Sequence, residues 1–167
     1  MAATEAQPPI VLVFWNPRGI SNKEVIFKHF LDEKGAVYAG VAESQTYRSR
    51  SELSDAKWRW DGGTEGKPSE KGGAPTRGMG ALVDVTKAEG SLVRTGKYTL
   101  WHRIELEGRG RALICGVGYF PDASDIKGHT AANKELAEAL AFFRATGDMV
   151  VFGGDLNAHT GANGDLT

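Results

Sequence analysis

Apolar positions along the chain fall into runs with two different periods. Ile10 to Trp15 is a continuous apolar run with β-branched residues, and Met149-Val150-Val151-Phe152 is a second. Runs of strand length without polar alternation predict strands buried on both faces. Behind the first run, Val25, Ile26, Phe27, Phe30 and Leu31 recur at helical spacing, and Gly35 is placed to stop that helix. Ser21-Asn22-Lys23-Glu24 reads as a capping box at its start. A further apolar run ends at Ala42, so strand, helix and strand over 10–44 predict a βαβ-like opening.

The middle of the chain changes character. Trp58 and Trp60 alternate with Lys57, Arg59 and Asp61, the pattern of a strand with one buried face. Residues 61–80 hold seven Gly and two Pro, which predicts a flexible loop. That loop is no domain boundary, because Ala81-Leu82-Val83-Asp84-Val85 resumes a strand at once. Leu92-Val93 and Tyr98 to Leu106 read as antiparallel strands. Gly108-Arg109-Gly110 reads as a hairpin turn into Arg111–Tyr119. A second helix is expected from Thr130, with Ala132, Leu136, Ala139, Leu140 and Phe143 as its buried stripe and Gly147 as its end. One domain over residues 10–167, behind a polar lead-in of residues 1–9, follows from this order.

Composition narrows the classes. The 167 residues are 41% hydrophobic and 25% charged, ordinary values for a globular domain with a core. The net charge is −1, and no Lys/Arg stripe stands out. This counts against tight nonspecific nucleic-acid binding and leaves room for a local basic groove around Arg18, Arg48, Arg50 and Arg59. A single cysteine, Cys115, excludes an internal disulfide and points to an intracellular, reducing compartment. The N-terminus has no basic segment of the secretory kind, and no stretch approaches the length of a membrane span.

The chemistry concentrates at strand ends. Gly153-Gly154-Asp155-Leu156-Asn157-Ala158 follows the last apolar run directly. It sets a carboxylate and a carboxamide at the end of a buried strand, where ligands of α/β sheets bind. Residues i and i+2 share one face of extended chain, so Asp155 and Asn157 can act on one group. The ordinary reading is an Asx-type turn in which both side chains serve their own backbone. Glu43 ends the apolar strand before it, and Asn16 ends the first. Each is a solvated end residue, a turn former or a site residue. Tyr119 is a half-buried sheet aromatic or a site residue. His159 is a solvated loop histidine on the ordinary reading. Trp58, Trp60, Trp101, His102 and Cys115 read as packing.

Four blocks in order resemble the endonuclease/exonuclease/phosphatase superfamily. They are Val11 to Gly19 with its Asn16, Val37 to Gln45 with its Glu43, Leu113 to Pro121 with Tyr119-Phe120-Pro121, and Gly154-Asp155-Leu156-Asn157. The resemblance covers about Val11 to Gly161 and has the flavour of the apurinic-type endonucleases of non-LTR retrotransposons. It implies an α/β fold, a two-sheet, four-layer sandwich truncated at its C-terminus. It also implies a Mg-dependent phosphodiesterase site. In that site Glu43 would hold the metal with Asn16 beside it, Asp155 would be the general base, and Asn157 and Tyr119 would meet the phosphate. Two departures bear on activity. Ala42 stands where the family commonly has Gln. The family's closing Asp-His pair has no counterpart, because the sequence holds no Asp-His dipeptide. The expectation is therefore a hydrolase-like domain, inactive alone, with an apolar face and an unpaired sheet edge covered by another chain. The alternative is a degenerate, non-catalytic subunit of a larger assembly. Nucleic acid is the expected substrate class.

Overall fold

The computed structural model describes residues 8–46, 50–64 and 78–157. Two sheets of four strands pack face to face. The first runs β1 (Leu12–Trp15), β2 (Tyr38–Ala42), β4 (Met79–Asp84), β3 (Trp58–Thr64) across its width. The second runs β5 (Ala88–Thr95), β6 (Thr99–Leu106), β7 (Leu113–Tyr119), β8 (Met149–Asp155). Helix α1 (Glu24–Lys34) covers the outer face of the first sheet, and α3 (Ile126–Arg144) that of the second. A single short turn of helix, α2 (Arg50–Leu53), precedes β3. The layers are thus helix, sheet, sheet, helix, the four-layer α/β sandwich that the sequence predicts.

Pairing divides each sheet in two. β1–β2 and β7–β8 run parallel. Their connections pass through α1 and α3, as parallel neighbours require. β2–β4, β3–β4, β5–β6 and β6–β7 are antiparallel. Contacts between the sheets set β1 and β2 over β8 and β7, and β3 and β4 over β5. The two parallel pairs therefore lie on one side of the sandwich with their C-terminal ends together. Between them Phe14 fills the gap. A Cβ on Gly153 would stand 2.5 Å from its ring, so only glycine admits this contact.

The core has two inner and two outer parts. Tyr38, Ala81, Val83, Ile104, Leu113 and Cys115 meet between the sheets. Phe27 and Leu31 of α1 close over Trp58, Trp60 and Leu82, and Ala139 and Phe143 of α3 close over Trp101 and Ile114. Cys115 is fully buried, and burial pushes its thiol up to about 12. Glu135 fixes α3 to the β5–β6 turn. Its carboxylate accepts from the backbone N–H groups of Lys97, Tyr98 and Thr99 and from the Thr99 hydroxyl. Among the described residues no helix is long and apolar enough to cross a membrane.

Several local expectations are corrected. The cap of α1 is Lys23, without a side-chain cap bond, and the Ser21 hydroxyl donates to Thr46 across the site-end loops instead. The expected capping box fails because the helix begins at Glu24, which leaves Ser21 outside its first turn. Of the apolar face expected for α1, Phe27 and Leu31 are buried, whereas Val25 and Ile26 are about three-quarters exposed, at 76% and 75%. Gly35 does end the helix, in the left-handed conformation. α3 starts at Ile126 rather than Thr130, because the Asp125 carboxylate caps it by accepting from Gly128 N–H. The stretch 61–80 is strand at both ends, since β3 runs to Thr64 and β4 begins at Met79, paired with each other. Its middle, together with Tyr47, Arg48, the Arg50 side chain, residues 1–7, Ala158 and His159, lies outside the described residues. Arg18 and Arg59 do not share a groove. Arg18 follows β1, and Arg59 sits on β3 at the opposite edge, bonded to Asp61 and to the Gly90 carbonyl.

Candidate functional site at the ends of the parallel strands

Four strand ends converge on the side where both parallel pairs lie. Asn16 follows β1, Glu43 follows β2, Tyr119 ends β7 and Asp155 ends β8. All four side chains are half-buried, as is Asn157. The Asn16 amide nitrogen sits between the two carboxylates and donates to Glu43 Oε2 at 2.9 Å and to Asp155 Oδ2 at 2.7 Å. The Tyr119 hydroxyl donates to Glu43 Oε1 at 2.8 Å. One chain of hydrogen bonds therefore links the sheets, from Tyr119 through Glu43 and Asn16 to Asp155. All five residues singled out in the sequence are brought together.

The ordinary readings of Asn16 and Asp155 are realised as well, whereas the Asn157 side chain donates to the distant Phe120 carbonyl rather than serving its own turn. Asn16 Oδ1 accepts from the Arg18 N–H at 3.0 Å, and Asp155 Oδ1 accepts from the Asn157 N–H at 3.1 Å. Each side chain uses one atom for its local turn and another for the shared cluster. Turn chemistry and site chemistry are not alternatives here, because the turn is what aims the free atom.

The backbone around the cluster is strained. Arg18, Glu43, Gln45 and Asn157 have φ between 44° and 48°, and among the described residues they are the positive-φ non-glycine positions. Such conformations cost of order 1–3 kcal/mol each and persist only where the surroundings enforce them. The enforcement is visible. Gly19 N–H donates to the Glu43 carbonyl and Ile20 N–H to the Ser44 carbonyl, locking the loop after β1 to the loop after β2. Gly154 takes φ 137°, and a Cβ there would lie 2.1 Å from the Gly118 carbonyl oxygen. Only glycine lets β8 approach β7 so closely just before Asp155.

The donor set suits a hard divalent cation. Glu43 and Asp155 offer carboxylate oxygens, with the Asn16 amide nitrogen holding them from between, and Mg²⁺ is often held by one or two carboxylates with the rest of its shell left to water and phosphate. Among the described residues no group of three or more His, Cys, Asp and Glu side chains stands together, so a closed all-protein cage is absent. An open site of one or two carboxylates fits Mg²⁺ better than zinc, which prefers nitrogen and sulfur.

Sequence reasoning passed over three contributors. Phe120 presents its N–H to the Asp155 carbonyl and its carbonyl to the Asn157 amide at 2.8 Å. His129 and Asn133 of α3 brace the same loop. No side-chain pattern marks a backbone role such as that of Phe120. His129 lies before the helix expected from Thr130, and only the earlier start at Ile126 sets it one turn from Asn133.

Several solved structures share this fold. The catalytic domain of human Nocturnin, solved with a bound sulfate anion, superposes with a TM-score of 0.71 at 14% identity over 92% of this chain and 66% of that one. The endonuclease domain of TRAS1, a telomere-specific non-LTR retrotransposon, gives 0.60 at 16% identity, covering 92% and 63%. The mannosyl-6-phosphatase Bt3783 of Bacteroides thetaiotaomicron gives 0.65 at 10% identity, covering 91% and 68%. At these identities the likeness is one of fold. The chain spans about two-thirds of the length of these solved chains. No family model and no curated protein sequence matches it.

Proposed function

We propose that this chain carries the metal- and phosphate-holding part of a divalent-metal phosphodiester hydrolase of the retroelement endonuclease type. The observation that carries the reading is the Asn16 amide shared between Glu43 and Asp155, which joins residues 139 positions apart at the ends of two sheets. A single neutral donor between two carboxylates keeps both charged oxygens at one spot, where a cation would neutralise them. Glu43 would hold Mg²⁺, with Asn16 orienting it. The metal would supply charge neutralisation at a phosphoryl oxygen and a more acidic water. Asp155 would take a proton from a water, and Asn157 would help to position the phosphate. Tyr119 would present its hydroxyl to the same group. Nucleic acid is the proposed substrate class, supported by the retroelement-like blocks around Asn16 and Asp155.

The chain is further proposed to hydrolyse little by itself. Among the described residues the histidine nearest the cluster is His129, and both its ring nitrogens are engaged in hydrogen bonds. No imidazole there is free to protonate a leaving group or meet a phosphate. Among the described residues, the parallel strands β1 and β8 each pair on one side only. Beside β1 an apolar groove runs past Val13, Phe14, Trp15, Ile26, Phe27 and Phe30. We take this side as the place where further polypeptide completes both sheets and the site.

The competing reading, a non-catalytic subunit of a larger assembly, is favoured by the same open edges and by Ala42. Cleavage of an abasic-site DNA duplex with Mg²⁺, by the purified chain and by Glu43→Ala and Asp155→Ala, separates the two when paired with Mn²⁺ binding. Weak or absent cleavage with Mn²⁺ binding that both substitutions remove supports the incomplete hydrolase. A folded chain with neither cleavage nor metal binding sinks it and leaves the binding subunit.

A further inference from the structure

The loop that joins Asp155 to Asn157 is held by a histidine that no motif points to. His129 lies in the first turns of α3, half-buried, with its Nε2 3.1 Å from the Leu156 carbonyl oxygen. Its Nδ1 lies 3.1 Å from Asn133 Nδ2, and that same nitrogen donates to the His129 carbonyl at 3.0 Å. The carbonyl can only accept, so it fixes which end of the Asn133 amide faces the ring. Nδ1 therefore accepts, the ring proton sits on Nε2, and Nε2–H donates to Leu156. The ring also meets Phe120 edge-on, with centroids 5.7 Å apart.

These contacts close around the motif. Leu156 is the residue between Asp155 and Asn157. Phe120 takes both neighbours, its N–H donating to the Asp155 carbonyl at 2.9 Å and its carbonyl accepting from Asn157 Nδ2. Asn157 is one of the strained positions, at φ 44°. A strained loop needs external contacts to hold it, and α3 supplies them from outside the sheets.

We infer that His129 is a positioning residue for the candidate site. With its tautomer set by Asn133, it pins Leu156 and so holds Asp155 in the orientation that meets Asn16, and Asn157 in its strained conformation beside it. This rests on the metal-site reading given above, yet it makes a separate statement about the loop itself. Side chains that hold a ligand-bearing segment from behind are worth about 10- to 100-fold in metal affinity where measured.

Three variants of the full chain test it. His129→Phe keeps the ring against Phe120 and removes the donor. His129→Gln keeps a donor near the Nε2 position. Asn133→Ala frees the tautomer and leaves the Leu156 bond itself in place. Two readouts follow, amide hydrogen exchange at Asn157 and Mn²⁺ affinity from paramagnetic broadening of the Asn16 and Asn157 side-chain amides. The expected result for His129→Phe is exchange at Asn157 faster by about tenfold and Mn²⁺ binding weaker by about tenfold. Exchange at Leu31 in α1 should not change. His129→Gln should recover most of both, and Asn133→Ala should fall between. Wild-type exchange and affinity in His129→Phe overturn the inference. Equal damage in the Phe and Gln variants also overturns it, because it assigns the effect to ring packing. If the wild type binds no Mn²⁺, the metal-site reading fails by itself, and the exchange pattern alone decides the role of His129.

Discussion

The two sides of the sandwich finish their sheets differently. On one side β3 and β5 carry charges, Arg59 and Asp61 on β3, Glu89 and Arg94 on β5. Each also breaks register, between Gly62 and Thr64 and between Leu92 and Arg94. Charges and bulges are how sheets blunt an edge against pairing with another chain. On the other side β1 reads Leu-Val-Phe-Trp and β8 reads Met-Val-Val-Phe-Gly-Gly-Asp, both in unbroken register with their one partner. Neither has a charge before Asp155. The finished side belongs to the antiparallel strands, and the unfinished side holds the parallel pairs and the candidate site. Edge chemistry thus separates a charged, bulged boundary from an apolar, regular one, and the candidate site lies along the second.

The largest effect that would sharpen this contrast is expected at Gly154. Gly154→Ala puts a Cβ 2.1 Å from the Gly118 carbonyl at a φ that favours glycine. Strain and overlap together should cost about 3 kcal/mol or more in urea unfolding. Any folded fraction should have lost Mn²⁺ binding, because Asp155 is the next residue. A variant of wild-type stability would show that β7 and β8 are not held so closely. At the β5–β6 turn, Glu135→Ala strips the acceptor from three backbone N–H groups and one hydroxyl. A loss of about 2 kcal/mol is expected from removing a charged acceptor. The Tyr98 carbonyl also accepts from the Tyr119 N–H, so any loss of metal affinity should stay well below that of Gly154→Ala, and an equal loss would contradict this ranking.

Acid should act through the centre. His102 of β6 is fully buried, with Nδ1 3.3 Å from the Tyr38 hydroxyl and no partner for Nε2 among the described residues. Burial lowers its pKa from 6.5 to about 4. The charged form is disfavoured in the fold, so the stability this histidine supports is complete above pH 6.5 and is lost as pH falls toward 4. Going from pH 7 to pH 5 should remove about 2 kcal/mol. In His102→Gln that part of the pH dependence should vanish, and an unchanged slope would show that the ring is not buried neutral. The smallest effect on folding is expected at the open edge. Ile26→Lys with Phe30→Glu should leave unfolding within about 0.5 kcal/mol, since both side chains are exposed. The pair should reduce concentration-dependent association in sedimentation. Val93→Lys on β5 should not, and equal effects at both edges would erase the distinction.

Much of the fold was legible because β2 and β7 are buried along nearly their whole length and, with the half-buried β1 and β8 beside them, read as unbroken apolar runs. Four ordered blocks then carried the architecture, which the solved neighbours share. The losses have physical causes. α1 reads as one apolar face because periodicity cannot show that part of it borders a groove, so Val25 and Ile26 were placed in the core. Ser21 fits a capping box by spacing, yet its hydroxyl serves Thr46 of a neighbouring loop, a contact that only the tertiary fold creates. β3 and β4 extend into the Gly-rich stretch because pairing with each other outweighs the weak strand propensity of Gly62 and Gly80. At the site, Asn16, Glu43, Tyr119, Asp155 and Asn157 were all legible as strand-end polar residues and do meet. The strain at Glu43, Gln45 and Asn157, and the brace from His129, leave no trace in residue type.

The central claim is that Asn16 holds Glu43 and Asp155 together as one divalent-metal site, and Mn²⁺ binding to the folded chain tests it most directly. Paramagnetic broadening should strike the amides of Asn16, Glu43 and Asp155 first, and Glu43→Ala, Asp155→Ala and Asn16→Ala should each weaken it with the fold intact. Broadening that spreads over scattered surface carboxylates, or that survives all three substitutions, would contradict the claim.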